Sequence, residues 1–288
     1  MSAGPDVTVI VPVYNGETTI AACVASLLAS DFLPGRVEFL VVDNASTDGT
    51  RSILDRFGEQ VTVLTERTRG VSAARNRGIR EARGHIVAFT DADCEVERGW
   101  LAALVAPLGD PSVGIAGGRI LSRLDGNRIE RYGERIHDHR RAIVEDELPY
   151  VISMNWASRT EILHEAGLFD ESLLRGQDVD LSWRIQRCGY RLAYAPDAVI
   201  RHHNERTIRG LVHEGYVHGL HSVRLREKHA ALDARVQPPR SAAARRMLGD
   251  LRRLPRGNVV DGLLTLLFDA GKSAGEIVGL ARAADRNR

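Results

Sequence analysis

The stretch Val7-Thr8-Val9-Ile10-Val11-Pro12-Val13, followed by Tyr14-Asn15-Gly16-Glu17, decides the fold. An uncharged apolar and β-branched run ends abruptly in turn-forming and polar residues. Residues 18–30 then place Ile20, Val24, Leu27 and Leu28 at helical spacing, so a buried strand passes into an amphipathic helix. The pattern recurs. VEFLVV at 37–42 precedes a helix over 50–57, residues 61–64 precede a helix over 72–83, and 86–89 is again apolar. Continuous apolar strands alternating with helices predict an α/β fold whose mostly parallel central sheet is flanked by helices on both faces. Such sheets bind ligands beyond the carboxyl ends of their strands. Those ends read Tyr14-Asn15-Gly16-Glu17, Asp43-Asn44-Ala45-Ser46-Thr47-Asp48-Gly49 and Thr90-Asp91-Ala92-Asp93.

Farther along, the pattern predicts a helix over 100–108, a strand over 113–121 kinked at Gly117-Gly118, and a charged excursion over 124–147, helical or mobile, with no strand signal. It then predicts a strand over 150–157, helices over 159–166 and 178–188, short strands at 192–194 and 198–201 around Pro196, and a helix over 207–229 weakened by glycines. After Pro238-Pro239 the composition shifts to Ala, Arg and Leu. We therefore expect a catalytic body over 1–235 and a basic, amphipathic helical tail over 236–288. Val260, Leu263, Leu264, Leu267, Ile277 and Val278 lie roughly on one face of that tail. Packing on the body or in a homodimer is the simpler expectation for this face, and peripheral membrane contact the alternative.

Of the 288 residues, 43% are hydrophobic and 27% charged, the balance of a folded globular protein. Cys23, Cys94 and Cys188 stand apart, with no CxxC pair, so neither a disulfide framework nor a thiolate zinc site is expected. A reducing, cytoplasmic setting fits, and no apolar run reaches the roughly 18 residues of a spanning helix. From Arg224 onward there are fourteen Lys/Arg against seven Asp/Glu, an excess of +7 within a chain total of +1, so residues 1–223 carry −6. A nucleic-acid clamp is not expected of such a body. The tail alone could meet an anionic surface at the inner face of a membrane.

Asp91-Ala92-Asp93 follows an apolar strand, and residues two apart on an extended chain project to one side, so both carboxylates can face a hard cation. Mn²⁺ or Mg²⁺ there would neutralise a departing diphosphate. A turn or capping role is the plainer reading of the same residues. Asp43, with Pro12, Val13 and Tyr14 supplying an apolar wall, marks a nucleoside pocket by position. A helix cap or Asx turn would also account for Asp43.

Together Thr8 to Asn15, Val41 to Thr50, Ala74-Arg75-Asn76-Arg77-Gly78 and Asp91-Ala92-Asp93 resemble the family 2 glycosyltransferases of GT-A fold, over about residues 7–219. The resemblance implies an inverting, metal-dependent transfer of a sugar from a nucleotide diphosphate donor, UDP- or GDP-linked. The acceptor would be a hydroxyl on a carbohydrate, a lipid-linked or a small molecule. It implies Asp43 near the base, Arg75 near the nucleotide or the first aspartate, Asp93 and Asp91 on the metal, and a histidine after the strand at 198–201 completing that site, with His202 favoured over His203. The family's usual Glu-Asp pair appears as Gln177-Asp178, which makes Asp178 the general base beside a neutral neighbour, with Asp180 as fallback. Trp156 is a candidate for stacking on a sugar of the acceptor side, or else a core residue. Two rivals remain open. One is the same fold acting on polyprenyl phosphate, and the other is a non-catalytic module that binds a nucleotide sugar or docks a partner. A nicotinamide enzyme is not expected, since no GxGxxG follows the first strand.

Overall fold

The computed structural model describes residues 5–31, 36–230, 236 and 259–286. They form two compact units. Of the described residues, the first comprises those in 5–121, 137–172 and 177–203, and the second those in 122–136, 173–176, 204–230, 236 and 259–286. The expected boundary at 235 falls outside the described residues.

The first unit is built on eight strands: β1 Val7–Val13, β2 Val37–Asp43, β3 Thr62–Thr65, β4 Ile86–Thr90, β5 Cys94–Val96, β6 Val113–Ser122, β7 Asn155–Arg159 and β8 Arg191–His202. Their order across the sheet is β3-β2-β1-β4-β7-β6-β8-β5. β1, β2, β3 and β4 pair in parallel, with Pro12 opposite Val42 and Val13 opposite Asp43. The other half carries antiparallel pairs, β4 with β7, β7 with β6, and β8 with β5. The helices α1 Ile20–Leu28, α2 Thr50–Leu54 and α3 Val71–Glu81 make the parallel crossovers. α4 Trp100–Val105, α6 Thr160–Glu165 and α7 Gln177–Arg187 complete the unit.

Every residue of β1 is buried, and the two-residue period sorts its side chains between two cores. Val7, Val9, Val11 and Val13 pack with Ile20, Val24 and Leu27 of α1 and with Trp100, Leu101 and Leu104 of α4. Ile10 joins Leu40, Val42, Phe89, Ile79 of α3 and Leu181 and Ile185 of α7 on the opposite face. The expected helix-covered, mostly parallel sheet is therefore present. α3 lies so close to β1 that a Cβ on Gly78 would sit 2.6 Å from Ile10 Cγ2.

Three elements differ from the sequence reading. β5 lies directly after the aspartates, in a segment to which the sequence reading gave no element. The two short strands around Pro196 are one strand, β8. Proline's fixed φ suits extended backbone, and the short β5 pairs β8 only at Ile200–His202, so no β5 ladder bond is needed at Pro196. The strand expected over 150–157 begins only at Asn155, because residues 148–153 spend their backbone groups on α7, a histidine, Asp146 and the Ala142 carbonyl instead of a neighbouring strand.

In the second unit α5 Arg128–Ile136, α8 Ile208–Ala230 and α9 Val259–Arg286 surround a small core of Tyr132, Leu211, Leu264 and Phe268. Of the tail face expected from the sequence, Leu264 is buried, Leu267 and Val278 are half-buried, and the other three are exposed. Leu264, Phe268, Gly271, Gly275 and Gly279 form the packed side of α9, whereas Val260, Leu263 and Ile277 are exposed. The glycines decide this: any side chain at Gly271 or Gly275 would collide with carbonyl oxygens of Val212 or Tyr216, and at Gly215 or Gly219 with those of Phe268 or Lys272. The glycines that weaken the helical signal of α8 are thus its contact surface. Among the described residues no helix is long and apolar enough to cross a membrane.

Candidate active site

The carboxyl ends of β1, β2 and β4 lie side by side, and the loops leaving them are held by each other. Asn15 and Ala45 both adopt positive φ, 52° and 58°, a strained state that persists where surrounding bonds enforce it. Here Asn15 receives the Thr47 N–H on Oδ1 at 2.8 Å and donates its own N–H to Ser46 Oγ at 3.0 Å. Pro12 and Val13 are buried beneath, and Tyr14 is 47% exposed. Arg69 donates to Tyr14 Oη at 2.6 Å and lies 4.5 Å over the ring, fixing an apolar wall of the kind a base stacks on. Asp43 is buried at this edge. Its Oδ1 accepts the Ser46 N–H at 3.0 Å, the Asx-turn bond foreseen as the plainer reading, which leaves Oδ2 for a ligand.

Arg75 is only 1% exposed, not a solvated helix residue. Its Nη2 donates to Asp91 Oδ1 at 2.7 Å, and the guanidinium lies 5.6 Å from the Phe169 ring centroid. Its buried Nε and Nη1 have no partner among the described residues. Buried cationic N–H groups are costly to leave unsatisfied, so this pair fits an anionic ligand or ordered water.

Asp93 and His202 converge from the start of β5 and the end of β8, with His202 Nε2 3.5 Å from Asp93 Oδ2. Cys94 is directly opposite His202 in the ladder, and its Sγ is 3.7 Å from Asp93 Oδ1. Ligand atoms of Asp93, Cys94 and His202 all lie within 4.8 Å of one another. Burial would push the Asp93 carboxyl up, but the charge and hydrogen bond of His202, its own backbone N–H and the charge of His203 outweigh it and hold it below the usual range. Burial, with the charges of Asp93 and Asp91, pushes the Cys94 thiol well up. A carboxylate and an imidazole at this spacing fit a cation of the Mn²⁺ or Mg²⁺ class, and a thiol kept protonated is not needed. Asp91 stands outside this group because Arg75 holds it. Ala92 packs on the core. His203 faces Glu95 at 3.5 Å, which leaves His202 as the histidine beside Asp93.

Asp178 sits in the first turn of α7, partly exposed. Its Oδ2 accepts the Ser153 N–H at 3.1 Å, and Oδ1 accepts from Val179 N–H at 2.9 Å. Tyr150 is pushed up to about 12, by burial first and then by the charges of Asp146 and Asp178, so its hydroxyl stays protonated near the carboxylate. The acceptor-side expectations need correction. Asp180 is fully buried and paired with Arg184 at 2.8 Å, and Arg184 also binds the carbonyls of Ala166 and Leu168, so Asp180 closes a structural bridge instead of facing an acceptor. Trp156 is fully buried and stacked on Phe89 at 4.7 Å, a core residue that no sugar ring reaches. Gln177 is buried, with Oε1 unpartnered among the described residues.

The sequence reading gave no role to Asn76, whose amide exchanges two hydrogen bonds with the Phe169 backbone and one with Glu171, tying the α3 motif to the segment at 167–171. It also gave none to Arg69, Asn155 or His139. Asn155 accepts from Trp100 Nε1 and donates to the carbonyls of Arg119 and Ala198. A polar residue inside an apolar strand was the available signal.

Residues 8–167 match the family described as Glycosyl transferase family 2. A pre-mycofactocin glycosyltransferase of Mycobacterium tuberculosis is 32% identical over 235 residues, 78% of this chain and 48% of that protein. Glycosyltransferase AglE of Haloferax volcanii is 31% identical over 201 residues, covering 68% and 66% respectively. This chain thus spans about half the length of the first relative and about two thirds of the second. Among solved structures, a mannosyltransferase of Pyrobaculum calidifontis in complex with GDP-Man and Mn²⁺ superposes with a TM-score of 0.64 at 26% identity, covering 98% of this chain and 75% of that one. The UDP complex of Staphylococcus aureus TarS shares the fold at a TM-score of 0.55 and 22% identity, over 67% of this chain and 59% of that one. With its sheet order, its nucleotide-edge residues and this match across more than half its length, the chain belongs to glycosyl transferase family 2 and has the GT-A fold.

Proposed function

We propose that this chain transfers a sugar from a nucleotide diphosphate donor to an acceptor hydroxyl, inverting the anomeric carbon, with Asp178 as general base. The observation that carries the reading is that Asp93 and His202 converge beside the Arg75–Asp91 pair, while Asp178 is presented at a helix N-terminus with Oδ2 fixed by Ser153 N–H. In the step, the acceptor oxygen bonds to the anomeric carbon as the bond to the diphosphate oxygen breaks. The hydroxyl proton passes to Asp178, and the electron pair leaves with the diphosphate. A divalent cation held by Asp93 and His202 would stabilise the charge on that leaving group. Arg75 would bring its unpaired N–H groups to the same anion, and Asp43 Oδ2 would accept from the base. The mannosyltransferase of known structure, with GDP-Man and Mn²⁺ in its complex, supports a nucleotide sugar and Mn²⁺ here.

A thermal-shift panel of nucleotide diphosphates and their sugars with Mn²⁺, Mg²⁺ or EDTA tests the reading. Stabilisation by one nucleotide, lost with EDTA and in Asp93→Ala, is the expected result. No metal-dependent shift with any nucleotide would favour the non-catalytic module instead. Cys23 and Cys94 are buried free thiols, which supports a reducing, cytoplasmic site of action. The exposed Val259, Leu263 and Ile277 of α9 suit the membrane contact or homodimer expected of the tail. Sedimentation with and without anionic vesicles separates the two.

A further inference from the structure

Residues 148–153 form a strap with four backbone groups bonded to side chains of α7. The Leu148 carbonyl accepts from Trp183 Nε1 at 3.2 Å and the Pro149 carbonyl from Gln186 Nε2 at 2.8 Å. The Val151 N–H donates to Ser182 Oγ at 3.1 Å, and the Ser153 N–H donates to Asp178 Oδ2 at 3.1 Å. Between those last two, the Ile152 N–H turns the other way and donates to His139 Nε2 at 2.8 Å. His139 Nδ1 in turn lies 2.7 Å from the Gly118 carbonyl of β6. Because Nε2 accepts, Nδ1 carries the proton, and both ring nitrogens are satisfied by backbone. The ring is 1% exposed, and a Cβ on Gly117 would lie 2.8 Å from both Cε1 and Nε2, so the absence of a side chain at Gly117 of β6 is what admits the imidazole.

We propose that His139 is a positioning residue, a neutral imidazole crosslink that registers the strap, and through Ser153 the Asp178 carboxylate, against the central sheet. Four of the strap's other bonds fix it to the helix that carries Asp178, and the Tyr150 N–H and Leu148 N–H tie it to the Ala142 carbonyl and to Asp146 Oδ1. The His139 bridge is a side-chain tie from the strap to β6, and so from the base to the sheet whose carboxyl edge carries the donor-side residues. A base displaced by about 1 Å can lose about 100-fold in rate while donor binding stays intact. The inference rests on the reading of Asp178 as general base.

The test uses the full chain with His139→Leu, which removes both bonds, His139→Asn, whose short amide keeps only the bond to Gly118, and His139→Gln, whose amide can restore the one to Ile152. Nucleotide release and donor Kd with Mn²⁺ are measured well below each variant's Tm, in the parent and in the Asp178→Asn background. Positioning predicts a kcat loss of about 10- to 100-fold in His139→Leu and His139→Asn, an unchanged donor Kd and partial recovery in His139→Gln. It also predicts less than about twofold further loss once Asp178 is already Asn, since the two act as one unit. An equal fold-loss in both backgrounds, a donor Kd that weakens in parallel with kcat, or full kcat in folded His139→Asn would overturn the proposal. Amide exchange of residues 148–156 separates this inference from the transferase reading. If the parent chain binds no donor, the transferase reading falls, yet faster exchange at Ile152 and Ser153 confined to the His139 variants still supports the crosslink, and unchanged exchange there sinks it.

Discussion

Arg75 and Asp91 form an ion pair whose cation is 1% exposed and whose anion is 26% exposed at the side chain. Removing the cation strands a partly buried carboxylate, so Arg75→Met is expected to destabilise the chain by about 2 kcal/mol in urea unfolding, as for other charged hydrogen bonds, and to weaken nucleotide binding as well. An unchanged midpoint would mean that solvent already satisfies Asp91. At Asp178 the expectation is different in kind. Asp178→Asn should leave donor-induced stabilisation intact while turnover falls by about 10²- to 10⁴-fold, the usual range for a general base, and near-normal nucleotide release would remove Asp178 from that role. The types and order of these residues were legible in the sequence, because Asp43, Asp91, Asp93 and Asp178 stand in motifs at strand and helix ends and Arg75 in a motif within α3. What each side chain touches was not. Trp156 and Asp180 lie among polar or motif residues, yet alternation along β7 and the periodicity of α7 turn both inward, and only the neighbours Phe89 and Arg184 reveal it.

At the scale of elements, periodicity located most helices and strands, and it failed where backbone groups are satisfied by something other than a regular ladder. The strap at 148–153 has apolar residues suited to a strand, but its hydrogen bonds run to α7, His139, Asp146 and the Ala142 carbonyl. The pair α8 and α9 illustrates the opposite failure. Glycine lowers helical propensity, yet Gly215, Gly219, Gly271, Gly275 and Gly279 let the two helices approach at backbone distance, so Val260, Leu263 and Ile277 of α9 are left exposed while its glycine stripe is buried with Leu264 and Phe268. Gly275→Leu should therefore separate the helices, lowering the thermal stability of this unit and exposing α9 to limited proteolysis. A cleavage pattern identical to that of the parent would show that the contact tolerates a bulky side chain.

For the molecule as a whole, His139, the positioning residue proposed above, also bears on the acid limb of stability. Burial is the main cause that pushes its pKa down to about 3, with the charge of His137 acting the same way and the bond to Gly118 opposing. The unfolded chain binds a proton at this side chain near pH 6.5, whereas the folded chain does not until about pH 3. Between those values the unfolded state holds more protons, so stability is full above about pH 6.5 and declines as pH falls through this window. The Tm should drop on acidification from pH 6.5 toward 4, and His139→Gln, which cannot titrate, should flatten that slope. Equal slopes for parent and variant would place the acid sensitivity elsewhere. The sequence by itself determined the α/β class, the parallel half of the sheet, the family and the identities of the charged residues at its carboxyl edge, because hydrophobic period and strand-end polarity are local properties of the chain. The tertiary structure selected His202, already favoured, as the histidine that meets Asp93 and Asp91 as the partner that buries Arg75, and it alone decided that glycines pack the tail helix and that His139 bridges β6 to the strap beside Asp178. Each of these is a contact between residues far apart in sequence, set by register and close packing, and no local pattern encodes which partner arrives.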